Sequence, residues 1–244
     1  MVRSYYQPGA GRAAGVEDLF AGIAPRYDLL NDLQSLGLHR WWKRRLVRLA
    51  GVPPGGRALD LCCGTGDVAL GFARRGVQAV GLDFSGPMLA VARQRQERLA
   101  RGGRGLAVEW VRGDALNLPF PEGHFDAVTI SYGLRNLADV RRGLEEMLRV
   151  TRAGGRVLVL DFGKPEPRWW RAVYFFYLGR VVPLLGACFC RNAPAYAYIL
   201  ESLEHYPAQA GVTALLRELG CREVELQNIL GGAMSIHCAV KPAG

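Results

Sequence analysis

The stretch from Arg57 to Asp83, RALDLCCGTGDVALGFARRGVQAVGLD, restricts the fold of this chain more than any other. An apolar run, Ala58-Leu59-Asp60-Leu61-Cys62, enters a turn at Gly64-Thr65-Gly66. A short periodic segment follows, and a second apolar run ends on Asp83. The succession predicts strand, loop, helix, strand and a terminal acid. Gly64 and Gly66 have no Cβ, so the backbone turns sharply and a ligand can lie directly on it. Asp83 stands 17 positions beyond Gly66, near the spacing at which an acid in a βαβ unit accepts from a ribose diol. The stretch predicts a ribose-bearing ligand.

Two ligand classes satisfy it. Gly64-x-Gly66-x-x-Ala69 formally matches the dinucleotide fingerprint, in which the helix N-terminus receives a pyrophosphate. Asp67, however, opens that helix with a negative charge where the phosphates would sit. A carboxylate there caps the helix, repels phosphate and attracts an ammonium group. S-adenosylmethionine has an adenosine, an amino-acid tail, a sulfonium and no phosphate, and suits the loop better. A dinucleotide, or a βα turn without any ligand, stays open from the loop alone.

The 244 residues, half of them apolar, allow one large α/β domain with a well-filled core. The formal charge of +9 raises the question of nucleic acid. The basic residues are almost all arginines scattered from Arg3 to Arg222, with only Lys43, Lys164 and Lys241 as lysines. Scatter of this kind reflects composition, so no nucleic-acid partner is expected; weak attraction to an anionic membrane surface remains compatible. Among the six cysteines, Cys62 and Cys63 are adjacent in the turn, and Cys188 and Cys190 lie in an apolar run. None has metal-finger spacing and no secretory signal begins the chain, so the expectation is reduced, buried thiols, no metal and a cytoplasmic protein.

Taken in order, residues 1–14 read as a loose tail and 15–50 as a helical cap of two helices, broken at Gly37. The cap either covers the cofactor pocket, placing Tyr27 or Asp28 near the ligand, or pads a sheet face, with Trp41 and Trp42 in packing roles. The cofactor-binding core spans 57–161. Ser85 is placed to cap a helix running to Arg101. A third strand, Leu106 to Val111, leads to Asp114 and Ala115, where the carboxylate accepts from an adenine amino group and the Ala115 backbone donates to the ring, unless Asp114 only caps a turn. A fourth strand, Asp126 to Ile130, ends at the polar cluster Ser131 to Asn136 on the same crevice edge; helix Val140 to Thr151 and strand Gly155 to Asp161 follow. Residues 164–207 are the most aromatic part of the chain. Ala172 to Cys190 has the length of a membrane span but contains Arg180 and Pro183, so it reads as a hydrophobic lid insertion, over an apolar substrate or touching the bilayer edge, or as a buried helical insertion. The last part, 208–244, reads as helix Ala210 to Leu219 and an antiparallel hairpin of Arg222 to Gln227 with Ala233 to Val240.

Further motifs resemble one family. The run Phe20-x-x-Ile23-Ala24-Pro25-x-Tyr27-Asp28-x-x-Asn31, the loop CCGTGD, DFSGPML from Asp83, GDALNLPF from Gly113, ISYGLRN from Ile130, EEMLRVTRAGGRVLVLDFGKP and GGAMSIH are similar to the ubiquinone/menaquinone C-methyltransferase family over nearly the whole chain from Val16. The resemblance implies a class I S-adenosylmethionine-dependent methyltransferase, Rossmann-like, with a mostly parallel seven-stranded sheet, helices on both faces and a closing antiparallel hairpin. It implies methylation of a ring carbon of a polyprenylated benzoquinol or naphthoquinol, the menaquinone type ahead. It also implies cofactor contacts from Thr65, Asp83, Asp114 with Ala115, and Ser131, to which the loop argument adds Gly64 and Gly66. Ile199 and Leu200 depart from the family's usual pair in the lid, which bears on substrate contacts. For the chemistry, Arg135 is expected to lower the pKa of a quinol hydroxyl, directly or through a water, with Asn136 orienting the ring. His237 is the rival as a base, ahead of His39, His124 and His205. An NAD-dependent dehydrogenase and a non-catalytic scaffold for quinone synthesis are the alternatives; tail length and the number of chains that assemble stay open.

Overall fold

The protein was analysed as a computed structural model, which describes residues 27–103, 105–184 and 194–243. The expected tail, the start of the first helix before Tyr27, and Cys188 and Cys190 lie outside the described residues.

Two helices, α1 (Tyr27–Ser35) and α2 (Leu38–Ala50), precede the sheet. They join through Gly37 at φ 77°, a left-handed turn that favours glycine. Then come β1 (Arg57–Leu61), α3 (Asp67–Ala73), β2 (Gln78–Asp83), α4 (Gly86–Arg101), β3 (Val108–Arg112) and β4 (Phe125–Ser131). A single 3₁₀ turn at Leu134–Asn136 leads to α5 (Val140–Val150) and β5 (Thr151–Phe162). The insertion contains α6 (Arg168–Phe176), a π-helical turn at Tyr177–Val181 and α7 (Pro194–His205). The chain closes with α8 (Ala208–Glu218), β6 (Arg222–Ile229) and β7 (Met234–Val240).

The seven strands pair in the order β3-β2-β1-β4-β5-β7-β6. Every pair from β3 to β5 is parallel, whereas β7 runs antiparallel to both β5 and β6. The expected closing hairpin is therefore present. Strand order reverses between β1 and β4, and it is outside the carboxyl ends of such strands that an open α/β sheet forms its ligand crevice. The central strands read as continuous apolar runs because helices cover both faces; Leu59, Leu61, Phe72, Phe125 and Ile130 are fully buried between the layers.

Two local expectations change. Ser85 occupies the N-cap position of α4, but its hydroxyl makes no capping bond. Strand β5 begins at Thr151 rather than Gly155, with an irregular register opposite Phe125 and Ala127. The cap and the insertion are tied to the rest: Tyr177 Oη donates to the Gln34 carbonyl, Tyr174 Oη to the Ala233 carbonyl and Trp170 Nε1 to the Leu230 carbonyl, each at 2.9 Å. Among the described residues no helix is long and apolar enough to cross a membrane.

Candidate active site

The loop after β1 is fastened to the end of β2 by Asp83. One carboxylate oxygen accepts from the Gly64 N–H and the other from the Ser85 N–H, both at 2.8 Å. This brings the carboxyl ends of β1, β2, β3 and β4 around one cavity with about 890 Å³ of empty space, bordered by Gly64, Asp83, Asp114, Ala115 and Ser131. Five of the seven expected cofactor residues thus meet in one place, and Tyr27 of the cap joins them.

The other two do not line the cavity. Thr65 is buried with its hydroxyl donating to Asp28 at 2.7 Å, and its carbonyl accepts from Arg95 at 2.9 Å. Gly66, at φ 85°, lies against Trp110, whose ring would come within 2.4 Å of a Cβ there. Both residues shape the turn rather than face the cavity. Asp67 also departs from expectation. Lys43 Nζ lies 2.8 Å from one of its oxygens and Arg95 Nη2 2.5 Å from the other. Burial alone would raise its pKa, but Lys43 and Arg95 hold the carboxyl well below the usual range. Its charge is neutralised within the protein, and the carboxylate does not border the cavity to meet a ligand's ammonium group.

The cavity fits S-adenosylmethionine on its own residues. Asp83 retains acceptor capacity for a ribose diol beyond its two backbone partners. Ser85 Oγ is buried on the lining without a partner among the described residues. The walls at Leu82, Phe84 and Met88 are apolar, as an adenine requires, and among the described residues the lining includes no lysine, arginine or histidine.

A second cavity, with about 1020 Å³ of empty space, opens beside the first between the cap, the insertion and the start of β7. Its surface is dominated by Trp42, Phe162, Tyr174, Leu178, Val182 and Met234. Among the described residues, Tyr132 is the single one that lines both cavities. It sits just past β4 at φ 61°, a conformation rare for a side-chain-bearing residue. The chain packs closely just beyond it: a Cβ on the following Gly133 would lie 2.5 Å from the Cys62 Cβ.

Sequence reasoning placed Arg135 at the acceptor, but its side chain lines neither cavity. It is buried, with Nη1 donating to Asp161 at 2.8 Å and to the Tyr132 carbonyl at 2.5 Å. Its guanidinium lies 4.7 Å from the Phe162 ring centre. Asn136 does line the first cavity, and its Nδ2 donates to the Tyr132 carbonyl at 3.2 Å. Both side chains therefore converge on the backbone of the residue between the cavities. His237 lines neither: its Nε2 bonds the Gln209 carbonyl at 3.1 Å, and burial lowers its pKa. Only His39 among the histidines borders either cavity, with Nε2 2.9 Å from Asp32. Its ranking below His237 is reversed by position. Tyr132 and Ser85 were missed as site residues; the polar cluster from Ser131 to Asn136 was the available signal for the first.

Asp60, next to last in β1, carries a separate consequence. It is buried, accepts from Thr129 Oγ1 at 2.9 Å, and burial pushes its carboxyl up to about 7. An unfolded aspartate titrates near ~3.9. Between these values the folded chain holds a proton that the unfolded chain releases, so the Asp60 contribution to stability falls as pH rises and is at its lowest above about 7. The melting temperature of Asp60→Asn is expected to gain on that of the wild type between about pH 5 and about pH 8. A constant difference across that range would refute the assignment.

The strand order with its closing antiparallel hairpin and the acid at the end of β2 are those of a class I S-adenosylmethionine-dependent methyltransferase. The same fold is seen in a solved S-adenosylmethionine-dependent methyltransferase of Thermotoga maritima, at a TM-score of 0.62 and 18% identity over 92% of this chain and 99% of that one. The chain belongs to the ubiE/COQ5 methyltransferase family, whose profile matches residues 9–241. It is 44% identical over 228 residues to the demethylmenaquinone methyltransferase of Beutenbergia cavernae, covering 93% of this chain and 91% of that protein. It is 40% identical over 230 residues to the ubiquinone/menaquinone biosynthesis C-methyltransferase UbiE of Xanthomonas oryzae pv. oryzae, covering 93% and 89%. Family membership gives the dehydrogenase and scaffold readings no support.

Proposed function

We propose that this enzyme methylates a ring carbon of a polyprenylated demethylnaphthoquinol, with S-adenosylmethionine as the methyl donor. The observation that carries the reading is the meeting, at Tyr132, of the cavity bordered by Asp83, Asp114 and Ser131 with an apolar cavity. When bound, the donor supplies a methyl group whose bond to sulfur breaks as the bond to the ring carbon forms, the sulfur keeping the electron pair and the ring losing one proton. The protein's share is placement. Asp83, Asp114 and Ser131 hold the nucleoside end, and the apolar cavity takes the ring and the first units of the tail, which favours in-line approach. A quinol hydroxyl has a phenol-like pKa of about 10. Because Asp161 already balances the Arg135 charge, we assign Arg135 to holding the Tyr132–Asn136 segment rather than to ionising the quinol directly.

The naphthoquinol is preferred because relatives such as the Beutenbergia cavernae protein bear the demethylmenaquinone name. Weak contact with an anionic bilayer belongs to the same reading. Leu36, Leu38, Val173 and Leu230 border the apolar cavity yet are 42% to 88% exposed, and Arg44 and Arg48 lie one helical turn apart on α2, while Arg40 in the turn before them is paired with Asp32. The test supplies labelled S-adenosylmethionine with demethylated naphthoquinol and benzoquinol, each prenylated in anionic or neutral vesicles and also tail-less. Methylation of the prenylated naphthoquinol should be fastest, and fastest on anionic vesicles. Preference for the benzoquinol would overturn the acceptor, equal rates on both vesicle types the membrane contact, and equal rates without a tail the role of the apolar cavity.

A further inference from the structure

We propose that the Tyr132 hydroxyl is the group that binds a ring oxygen of the acceptor, fixing which ring carbon faces the methyl donor. The inference rests on the methyltransferase reading above and deepens it at one residue.

The position is set by topology. A transferred methyl group must cross from the nucleoside cavity to the acceptor, so the reacting ring has to stand where the two cavities meet, and among the described residues Tyr132 alone belongs to both linings. Its hydroxyl is buried and makes no hydrogen bond among the described residues. The neighbouring tyrosines show the contrast, since Tyr174 Oη and Tyr177 Oη each hold a backbone carbonyl. Leaving a buried hydroxyl unpaired costs stability, and a bound oxygen acceptor would remove that cost. The group cannot easily turn away to find another partner. Its backbone is in the left-handed region, its carbonyl accepts from Arg135 and Asn136, and its own N–H donates to the Leu160 carbonyl at 2.7 Å. Lys43 Nζ lies 5.7 Å from the ring centre but is held by Asp67, so it braces the ring and does not engage the hydroxyl.

The chemistry selects the acceptor atom. Burial pushes the phenol well above its ordinary value, so it stays protonated and acts as a donor. A neutral donor favours an oxygen carrying negative charge, which the quinol oxygen gains when its hydroxyl ionises to make the ring carbon nucleophilic. The hydrogen bond therefore strengthens as the quinol ionises, ahead of methyl transfer, and the quinol proton leaves by another route.

Tyr132→Phe keeps the ring and deletes only the hydroxyl. With demethylated naphthoquinol as the probe, kcat/KM should fall roughly 10- to 100-fold, the larger share in kcat. Affinity for S-adenosylmethionine by calorimetry should stay within about twofold, because its nucleoside contacts lie elsewhere. The melting temperature of the ligand-free variant should equal or exceed that of the wild type, since an unpaired buried hydroxyl is gone. A kcat/KM within about threefold of wild type overturns the proposal. So does a loss of cofactor affinity as large as the loss in kcat/KM, which would move the hydroxyl to the donor side. If the wild-type enzyme methylates neither quinol, the functional reading falls and this proposal with it; an active wild type with an equally active variant defeats the proposal alone.

Discussion

Asp83→Ala is expected to lower S-adenosylmethionine affinity by roughly 100-fold or more, the sum of a lost ribose acceptor and lost anchoring of the loop. The carboxylate lies on the cavity surface and also holds the Gly64 and Ser85 N–H groups, at 2.8 Å each. Hydrogen bonds to a charged group contribute about 1.5–3 kcal/mol apiece, so removing a ligand bond together with the two that shape the binding loop compounds the loss. Asp83→Asn should be nearly as damaging, because one of the two backbone donors would then face an amide NH₂ instead of an acceptor. Calorimetric titration of both variants gives the measurement. Affinity within about tenfold of wild type for Asp83→Ala would show that the ribose is held elsewhere.

The second large effect lies at the buried pair Arg135 and Asp161, 5% and 1% exposed. Removing either partner leaves the other charge uncompensated in the core, which costs about 3–5 kcal/mol. Asp161 also accepts from the Arg135 and Phe162 N–H groups, so its loss frees backbone donors as well. Arg135→Ala should lower the melting temperature by roughly 10 °C and abolish methylation, while S-adenosylmethionine still binds. Replacing both residues by leucine restores apolar packing and should recover part of the stability, as buried ion pairs often allow. Turnover should not return with it, because the Tyr132 carbonyl then lacks the Arg135 donor that aligns the segment between the cavities. A double variant with wild-type turnover would reduce the pair to a purely structural role.

The two results would also separate what a linear reading supplies from what packing adds. Gly64, Asp83, Asp114, Ala115 and Ser131 were recognisable because a parallel sheet directs the residues after its strands to one edge, and apolar runs locate the strands. Thr65, Gly66 and Asp67 stand in the same motif yet turn away from the cavity. Their partners are Asp28, Arg95, Trp110 and Lys43, contributed by α1, α4, β3 and α2. Nothing in the local spacing of the glycine loop distinguishes an aspartate that meets a ligand from one that meets a buried lysine.

Arg135 and His237 show the same limit on the acceptor side. Each is a chemically reasonable residue near the crevice in the chain, and each is committed by the fold, one to Asp161 and the other to the Gln209 carbonyl. Tyr132 is the converse, an ordinary aromatic residue beside a glycine that becomes central once two cavities share it. The sequence by itself determined the sheet, the crevice and the five residues that border the first cavity, because side-chain period, glycine permissiveness and strand-end acids are local properties. Only the tertiary structure decided which polar groups are spent within the protein and which face the cavities. Long-range ion pairs and close backbone approach bring together residues far apart in the chain, and no local pattern records their meeting.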